Sequence, residues 1–159
     1  MAYDSDEAFM RLAYEEAIRA RLLGEVPVGA VIVGTDRDII SRAHNLCETT
    51  FDPTAHAEMI AIREAARKHQ STRINRSTIY VTLEPCSMCI GAIVLARIKR
   101  LVYGADDPKS GAVVSKYNIG RDGRLNHIVE VSGGVLESEC AELLRDFFQG
   151  LRGRGITLP

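Results

Sequence analysis

The sequence lacks the features that mark membrane, exported and disulfide-stabilised proteins. Its longest apolar runs, such as residues 26–34, fall far short of the roughly 20 residues that span a membrane. The N-terminus is acidic and has neither the basic nor the apolar region of an export signal, so we expect a cytoplasmic location. Four cysteines in such a chain argue against a disulfide framework. A length of 159 residues with 46% hydrophobic content predicts one domain over residues 1–159.

Strong charge is also lacking, because the formal net charge is only −1 and gives no global sign of a nucleic-acid partner. Basic residues nevertheless concentrate between residues 97 and 124, where seven of them stand against three acids. Such a stretch fits phosphate contact and an ordinary solvated surface equally well. The seven are Arg97, Lys99, Arg100, Lys109, Lys116, Arg121 and Arg124.

Apolar periodicity predicts helices and strands that alternate along the chain. We expect helices over residues 4–23, 55–68, 84–96 and 139–152, and strands over residues 28–34, 39–42, 77–83, 101–104 and 128–131. Asp4 with Glu7 predicts a cap for the first helix, and residues 52–54 predict the start of the second. The buried stripes expected on the first and last helices are Phe9, Leu12, Ala13, Ala17, Ala20 and Leu23, and Leu143, Leu144, Phe147, Phe148 and Leu151. This alternation predicts a layered α/β fold.

Two short motifs carry the residue types of a metal site. Cys86 and Cys89 are spaced so that both sulfurs lie on one side of a helix and can reach one ion. Pro85 suits the first helical position, and the free N–H groups of a helix start stabilise thiolates. His56 supplies a third ligand from a different helix. Three protein ligands leave one position open, which is typical of catalytic zinc.

Glu58 is the predicted proton shuttle of this site. It stands two residues from His56, about 200° around a helix, so the two side chains converge only beyond the first turn. Zinc lowers the pKa of its bound water to about 7, and a neighbouring carboxylate can take the proton to give a nucleophilic hydroxide. The pattern therefore predicts a zinc-dependent hydrolase.

Other readings of these residues stay open. A redox-active Cys-x-x-Cys pair would have no use for the histidine and glutamate. A structural zinc site would need a fourth ligand, for which Cys47, His44 and Cys140 are candidates, and would fit a non-catalytic, zinc-stabilised RNA-binding module. If it is not a ligand, Cys140 is expected to be a core residue. His69 and His127 are expected to be surface or capping residues.

Longer stretches around the motifs resemble the bacterial tRNA-specific adenosine deaminases, which belong to the cytidine/deoxycytidylate deaminase superfamily. The similar stretches are EVPVGA at residues 25–30, DPTAHAE at 52–58, VTLEPCSMC at 81–89, YGADDPK at 103–109, NH at 126–127, and the FFxxLR pattern at 147–152. The histidine, glutamate and cysteine motifs are shared with deaminases of cytidine, deoxycytidylate and guanine. The remaining stretches distinguish the tRNA enzymes.

The resemblance implies a three-layer α/β/α cytidine-deaminase-like fold with a five-stranded mixed sheet. It also implies a homodimer with one Zn²⁺ per subunit, which converts the wobble adenosine of a tRNA anticodon loop to inosine and has no membrane partner. A deaminase of a free base or nucleoside, of the guanine or cytidine class, is the alternative. Position by position, His56, Cys86 and Cys89 would bind zinc, Glu58 would shuttle protons, Asn45 and the Ala57 N–H would hold the purine, Asp107 and Lys109 would contact the sugar and backbone, and Asn126, Phe148 and Arg152 would hold neighbouring nucleotides.

Overall fold

The structure is a computed structural model that describes residues 4–156. This part of the chain contains five helices and five strands. The helices are α1 (Asp6–Leu22), α2 (Cys47–Thr50), α3 (Ala57–His69), α4 (Ser87–Leu95) and α5 (Glu137–Gly153), and the strands are β1 (Gly29–Val33), β2 (Ile39–His44), β3 (Thr78–Leu83), β4 (Arg100–Ala105) and β5 (Glu130–Ser132). None of the helices within residues 4–156 has the length and apolar character needed to cross a membrane.

The five strands form one mixed sheet in the order β2-β1-β3-β4-β5. Strand β1 is antiparallel to both β2 and β3, whereas β3, β4 and β5 run parallel to one another. The connection between the parallel strands β3 and β4 is a crossover that contains α4, whereas β4 is joined to β5 by a long segment, residues 106–129, that contains no helix. All five predicted strands are therefore present, with ends that differ by a few residues from those expected.

Helices cover both faces of the sheet. Because successive side chains of a strand point to opposite faces, Val31 packs with Phe9 and Met10 of α1, whereas Ile32 packs with Ala61 of α3 and the α4 side chains. Helix α5 lies on the α1 face, where Arg11 of α1 forms a salt bridge with Glu139 of α5. The arrangement confirms the three-layer α/β/α fold.

Gly29, in one of the family-like stretches, lets α1 approach the sheet closely. A Cβ atom at residue 29 would lie 2.0 Å from the Ala13 carbonyl oxygen and 2.6 Å from the Ala17 nitrogen. The Gly29 N–H donates to Thr82 Oγ1 over 3.1 Å. Any side chain here would push α1 away from β1, because both blocking atoms belong to the backbone.

One edge of the sheet gathers the chain segments that carry the predicted site. The register pairs Gly29 at the start of β1 with His44 at the end of β2, and Leu83 at the end of β3 with Ala105 at the end of β4. The segments that follow β2, β3 and β4 consequently leave the sheet at the same edge. Functional sites of α/β proteins commonly form at such an edge.

The N-terminal cap of α1 differs from the expected one. Ser5, not Asp4, is the N-cap, and its Oγ accepts a hydrogen bond from the Ala8 N–H over 3.2 Å. Serine and aspartate are similarly good caps, so composition alone did not separate neighbouring candidates. The expected burial of Leu23 is also wrong, because this residue follows the last helical turn and is 54% exposed.

Helices α3 and α4 both begin later than the sequence predicts. Asp52 does not begin α3: its Oδ1 accepts the Thr54 N–H over 2.8 Å in a local turn, and the helix begins at Ala57. Likewise Pro85 is not the first residue of α4, because Cys86 is the N-cap and the helix begins at Ser87. Both shifts move a predicted metal ligand from the helix to its cap position.

Candidate active site

Three donor atoms from two helix starts meet at the sheet edge. His56 is the N-cap of α3, Cys86 is the N-cap of α4, and Cys89 lies in the first turn of α4. The His56 Nδ1 atom is 3.7 Å from Cys86 Sγ and 3.5 Å from Cys89 Sγ. These three residues, called the donor cluster below, place their ligand atoms within 4.8 Å of one another.

The spacing of the donor cluster suits zinc. Ligand bonds of about 2.3 Å to sulfur and about 2.0–2.1 Å to nitrogen at a tetrahedral angle separate nitrogen from sulfur by about 3.6 Å. The two nitrogen–sulfur distances of 3.5 and 3.7 Å bracket that value. An imidazole with two thiolates is also a donor set that favours zinc over hard cations such as Mg²⁺. The residues present therefore fit the ion that the sequence predicts.

Hydrogen bonds, and the protons shared in them, link the three side chains of the donor cluster. The hydrogen bond with Cys89 lowers the pKa of the Cys86 thiol to about 4, against the opposing effect of burial, and the bond with His56 acts in the same direction. The bond with Cys86 conversely raises the pKa of Cys89 and that of His56. A metal ion that binds here replaces these shared protons, so metal affinity rises with pH.

Glu58 lies beside the donor cluster in the first turn of α3. Its side chain is 4% exposed, and its Oε2 atom is buried with no hydrogen-bond partner among residues 4–156. Burial raises the pKa of Glu58 to about 6, and its carboxyl group forms a hydrogen bond with the Cys89 thiol. A buried oxygen without a partner is costly unless a ligand or water satisfies it. Glu58 therefore has an oxygen available to a molecule at the metal position.

The candidates for a fourth protein ligand do not complete the cluster. Within the described part of the chain, three side chains form the group and no fourth histidine, cysteine, aspartate or glutamate joins them. His44 Nδ1 instead contacts Glu16 Oε2 over 2.8 Å. Cys140 is buried in α5, which confirms the expected core position, and Cys47 begins α2 as a free thiol. This geometry favours an open catalytic site over a closed structural one.

Asn45 and Ala57 form one wall of the site. Asn45 directly follows β2 and is 8% exposed, and its Oδ1 accepts the Ala57 N–H over 2.8 Å. The resemblance implies that both the Ala57 N–H and Asn45 hold the purine. In the structure the Ala57 N–H donates to the Asn45 side chain. Within residues 4–156 the Asn45 amide nitrogen makes no hydrogen bond to another residue, which leaves it free to donate to a substrate.

The other residues expected to contact RNA lie on exposed segments. Asp107 follows β4, and its Oδ1 accepts the N–H groups of Lys109 and Ser110, which fixes a tight turn. Lys109, Asn126 and Arg152 are exposed, and Phe148 is 37% exposed rather than fully buried in the α5 stripe. Their side chains are accessible to a large ligand, although none of them belongs to the donor cluster.

The basic stretch does not form one patch. Arg100 stands at the start of β4, at the opposite end of that strand from Asp107, and makes a two-bond contact with Asp6 over 2.7 and 2.8 Å. Arg97 donates to the backbone oxygen of Asn126. Only part of the local charge excess is consequently available to phosphate groups near the site.

Sequence reasoning missed two buried carboxylates beside the site. Glu84 and Glu25 are each 1% exposed. Glu25 accepts the backbone N–H groups of Glu48 and Thr49 at the start of α2, and Glu84 accepts several N–H groups of the segment after β4. Most of their donors are backbone groups more than 20 residues away, which carry no residue-type signal. Both glutamates lie in the stretches that resemble the tRNA-specific adenosine deaminases, and this position is the signal in the sequence that marks them.

Burial of Glu58 predicts a pH-dependent stability of the metal-free protein. The pKa of its carboxyl is raised from 4.5 to about 6, so the cost of burying the charge is small near pH 4.5 and complete above pH 6. Glu58→Gln is therefore expected to raise the free energy of unfolding by about 2 kcal/mol at pH 8 and by much less at pH 4.5. Urea unfolding in the presence of a chelator measures both values. An equal effect at the two pH values would contradict this prediction.

The chain is similar to known deaminases over most of its length. The model of the MafB19-like deaminases matches residues 4–152. A tRNA-specific adenosine deaminase of Haemophilus influenzae is 52% identical over 147 residues, which cover 92% of this chain and 85% of the relative. These matches confirm the resemblance inferred from the sequence motifs.

Two solved structures share the fold. One, from a study of A-to-I editing by tRNA:A34 deaminases at the wobble position of transfer RNA, is 46% identical with a TM-score of 0.82 and covers 86% of this chain and 98% of its own. A guanine deaminase from Bacillus subtilis is 30% identical with a TM-score of 0.64 and covers 94% and 95%. Similarity is therefore greater to the tRNA-editing structure than to this base deaminase.

Proposed function

Because this chain belongs to the family of MafB19-like deaminases, we propose that it converts adenosine to inosine at the wobble position of a tRNA anticodon. The observation that carries this function is the donor cluster of one imidazole and two thiolates, with Glu58 buried beside it and no fourth protein ligand within residues 4–156. The chain is accordingly an enzyme that hydrolyses a C–N bond of a purine base and releases ammonia.

Zinc is the proposed cofactor, with one ion per subunit. His56, Cys86 and Cys89 hold it, as their spacing of 3.5 and 3.7 Å supports. When bound, zinc supplies a water of lowered pKa that is nucleophilic near neutral pH. Two thiolates balance the double positive charge of the ion, so the buried site remains neutral and its desolvation costs less.

Glu58 moves the protons of the reaction. Its carboxylate first takes a proton from the nucleophilic water and delivers it to N1 of the adenine, which makes C6 more electrophilic. The hydroxide formed in this way adds to C6, and Glu58 then transfers the proton of the new C6 hydroxyl group to the amino group. The C6–N bond breaks, ammonia leaves, and the C6 carbonyl group of inosine forms. The raised pKa of Glu58, about 6, suits a group that both accepts and donates protons near neutral pH.

The substrate is held by groups on three sides of the site. The free amide nitrogen of Asn45 donates to the purine, while its Oδ1 remains on the Ala57 N–H. Asp107 and Lys109 contact the sugar and backbone of the target, and the exposed groups of Asn126, Phe148 and Arg152 hold neighbouring nucleotides. An anticodon loop is single-stranded, so its bases can splay into a pocket at little cost in stacking.

Assembly and location complete the proposal. We propose a homodimer, which exposed apolar side chains on and after α4 support: Leu95, Tyr117 and Ile128 are 77%, 63% and 60% exposed. A light-scattering mass of one chain at assay concentration would refute it. A cytoplasmic location is proposed because tRNA is the substrate. Fractionation that places the protein outside the cytoplasm would refute that location.

Incubation with three substrates tests the proposed function. An anticodon stem-loop with adenosine at the wobble position should yield inosine, whereas guanine and cytidine should remain unchanged. The rate with RNA should also fall steeply as salt rises, because phosphate contacts release counterions, and deamination of a free base should not. Turnover of guanine or cytidine without turnover of the stem-loop would overturn the choice of substrate.

A further inference from the structure

Glu84 stands where the metal-binding helix and the segment after β4 meet. It lies between the last residue of β3 and Pro85, and its backbone N–H donates to the Ala105 oxygen over 2.8 Å. The side chain is 1% exposed. A carboxylate this deeply buried is costly unless every lone pair finds a donor, so its partners indicate what it does.

Among the residues that the structure describes, every hydrogen-bond donor to the Glu84 carboxylate lies in the segment of residues 107–115, called the 107–115 loop below. Its Oε1 accepts the Asp107 N–H over 3.1 Å and the Ser115 hydroxyl. Its Oε2 accepts the N–H groups of Val113, Val114 and Ser115 over 3.2, 2.9 and 2.9 Å. One buried carboxylate therefore fixes both ends of the loop that presents Asp107 and Lys109.

The loop is also shaped to admit this carboxylate. A Cβ atom at residue 111 would lie 2.4 Å from the Glu84 carboxyl carbon and 2.5 Å from each of its oxygens, so Gly111 leaves the space that Glu84 occupies. The Ala112 N–H in turn donates to the Pro85 oxygen over 2.9 Å. Glu84 and the loop thus fit one another on both sides of the contact.

We infer that Glu84 is a positioning residue for RNA binding, which holds Asp107 where the ribose and backbone of the target nucleotide pass. This inference rests on the proposed function. The Glu84 carboxylate is occupied by donors of the 107–115 loop, so it would act on the substrate through that loop. Its side chain acts on affinity through Asp107, whereas the two cysteines of the donor cluster lie at the start of α4 and His56 lies at the start of α3.

Glu84→Gln tests this role because it removes only part of the contact. The glutamine oxygen replaces Oε2, where three N–H groups converge, and its NH₂ group then faces the Asp107 N–H. Two donors cannot bond, so the Asp107 end of the loop is released while the Val113–Ser115 end stays bound. We expect the KM for the stem-loop to rise about tenfold, with kcat within about threefold of the parent and with unchanged zinc content.

A double-mutant cycle separates positioning from a general loss of structure. If Glu84 acts through Asp107, Glu84→Gln should change the KM by no more than about twofold in an Asp107→Ala background. Ser77→Ala serves as the control, because it removes a buried hydrogen bond to Ile74 before β3, at the other end of that strand, and should keep the parental KM. Additive effects of Glu84→Gln and Asp107→Ala would overturn the inference.

Two milder variants keep the inference testable if Glu84→Gln does not fold. Ser115→Ala removes the hydroxyl contact alone and should raise the KM about threefold, and Gly111→Ala should raise it more, because its Cβ displaces the carboxylate. Parental KM values in both would overturn the inference. Failure of the proposed function is distinct, since the parent protein itself would then leave the wobble adenosine unchanged.

Discussion

Glu58→Gln is expected to slow deamination of the wobble adenosine at least about a hundredfold while the protein keeps one zinc per chain. Glutamine preserves the size of the side chain and one hydrogen-bonding oxygen, but it cannot accept and return a proton. The loss should appear in kcat, because the proton transfers belong to the chemical steps and not to RNA binding. Single-turnover rates with an anticodon stem-loop, alongside metal analysis, measure both quantities.

Glu64→Gln is the matched control for this change. Glu64 lies on the same helix as Glu58, and its carboxylate forms an exposed salt bridge with Lys68 over 2.9 Å. The same substitution there alters the charge of α3 equally but removes no group from the site, so turnover should stay near the parental value. Near-normal turnover of Glu58→Gln would remove this residue from the mechanism.

Loss of a metal ligand should have the second large effect. Cys86→Ala is expected to lower both zinc affinity and turnover by more than about a hundredfold, because even the loss of a group that only supports a ligand commonly costs 10–100-fold in metal affinity or activity. The Cys86 thiolate also accepts the hydrogen bonds from Cys89 and His56 in the metal-free cluster, so Cys86→Ala removes both of these contacts as well. Zinc analysis and turnover after dialysis at a fixed zinc concentration measure the effect.

Cys47→Ala provides the comparison for that experiment. Cys47 begins α2 as a free thiol and is not part of the donor cluster. Its replacement should leave one zinc per chain and parental turnover. Loss of zinc from this variant would instead indicate a four-ligand structural site, and retained activity of Cys86→Ala without metal would contradict metal-assisted hydrolysis.

The grouping of the donor cluster was predictable from the sequence because it depends on residue types at short spacing. Cys86 and Cys89 are three residues apart, and His56 and Glu58 are two apart, so local sequence alone nearly fixes how each pair is presented. What periodicity did not resolve is the exact start of α3 and α4. Three predicted metal ligands were expected inside helices, and two of them, His56 and Cys86, proved to be N-caps, since preferred start residues precede them by one to four positions.

The buried hydrogen bonds around the site were harder to predict from the sequence. Glu84 bonds to N–H groups 23 to 31 residues along the chain, and Asn45 bonds to one 12 residues along. Any residue other than proline offers such a donor, so no pattern of side chains marks the partner. The strand order that brings these segments to one edge follows from long-range pairing, which a single sequence specifies only weakly.

Similarity to known proteins indicates the substrate more specifically than the geometry of the site does. The donor cluster and Glu58 are compatible with deamination of several bases, as the guanine deaminase with the same fold illustrates. The exposed positions of Lys109 and Arg152 fit a ligand larger than a free base. We therefore expect a steep salt dependence and a preference for RNA to separate this chain from its base-deaminating neighbours.

The coordination shell of the bound zinc gives the most direct test of the central claim. X-ray absorption spectroscopy of the zinc-loaded protein should show two sulfur ligands, one histidine nitrogen and one exchangeable oxygen from solvent. A shell of four protein ligands, such as a third sulfur or a second imidazole, would contradict an open catalytic site and with it the proposed deaminase mechanism.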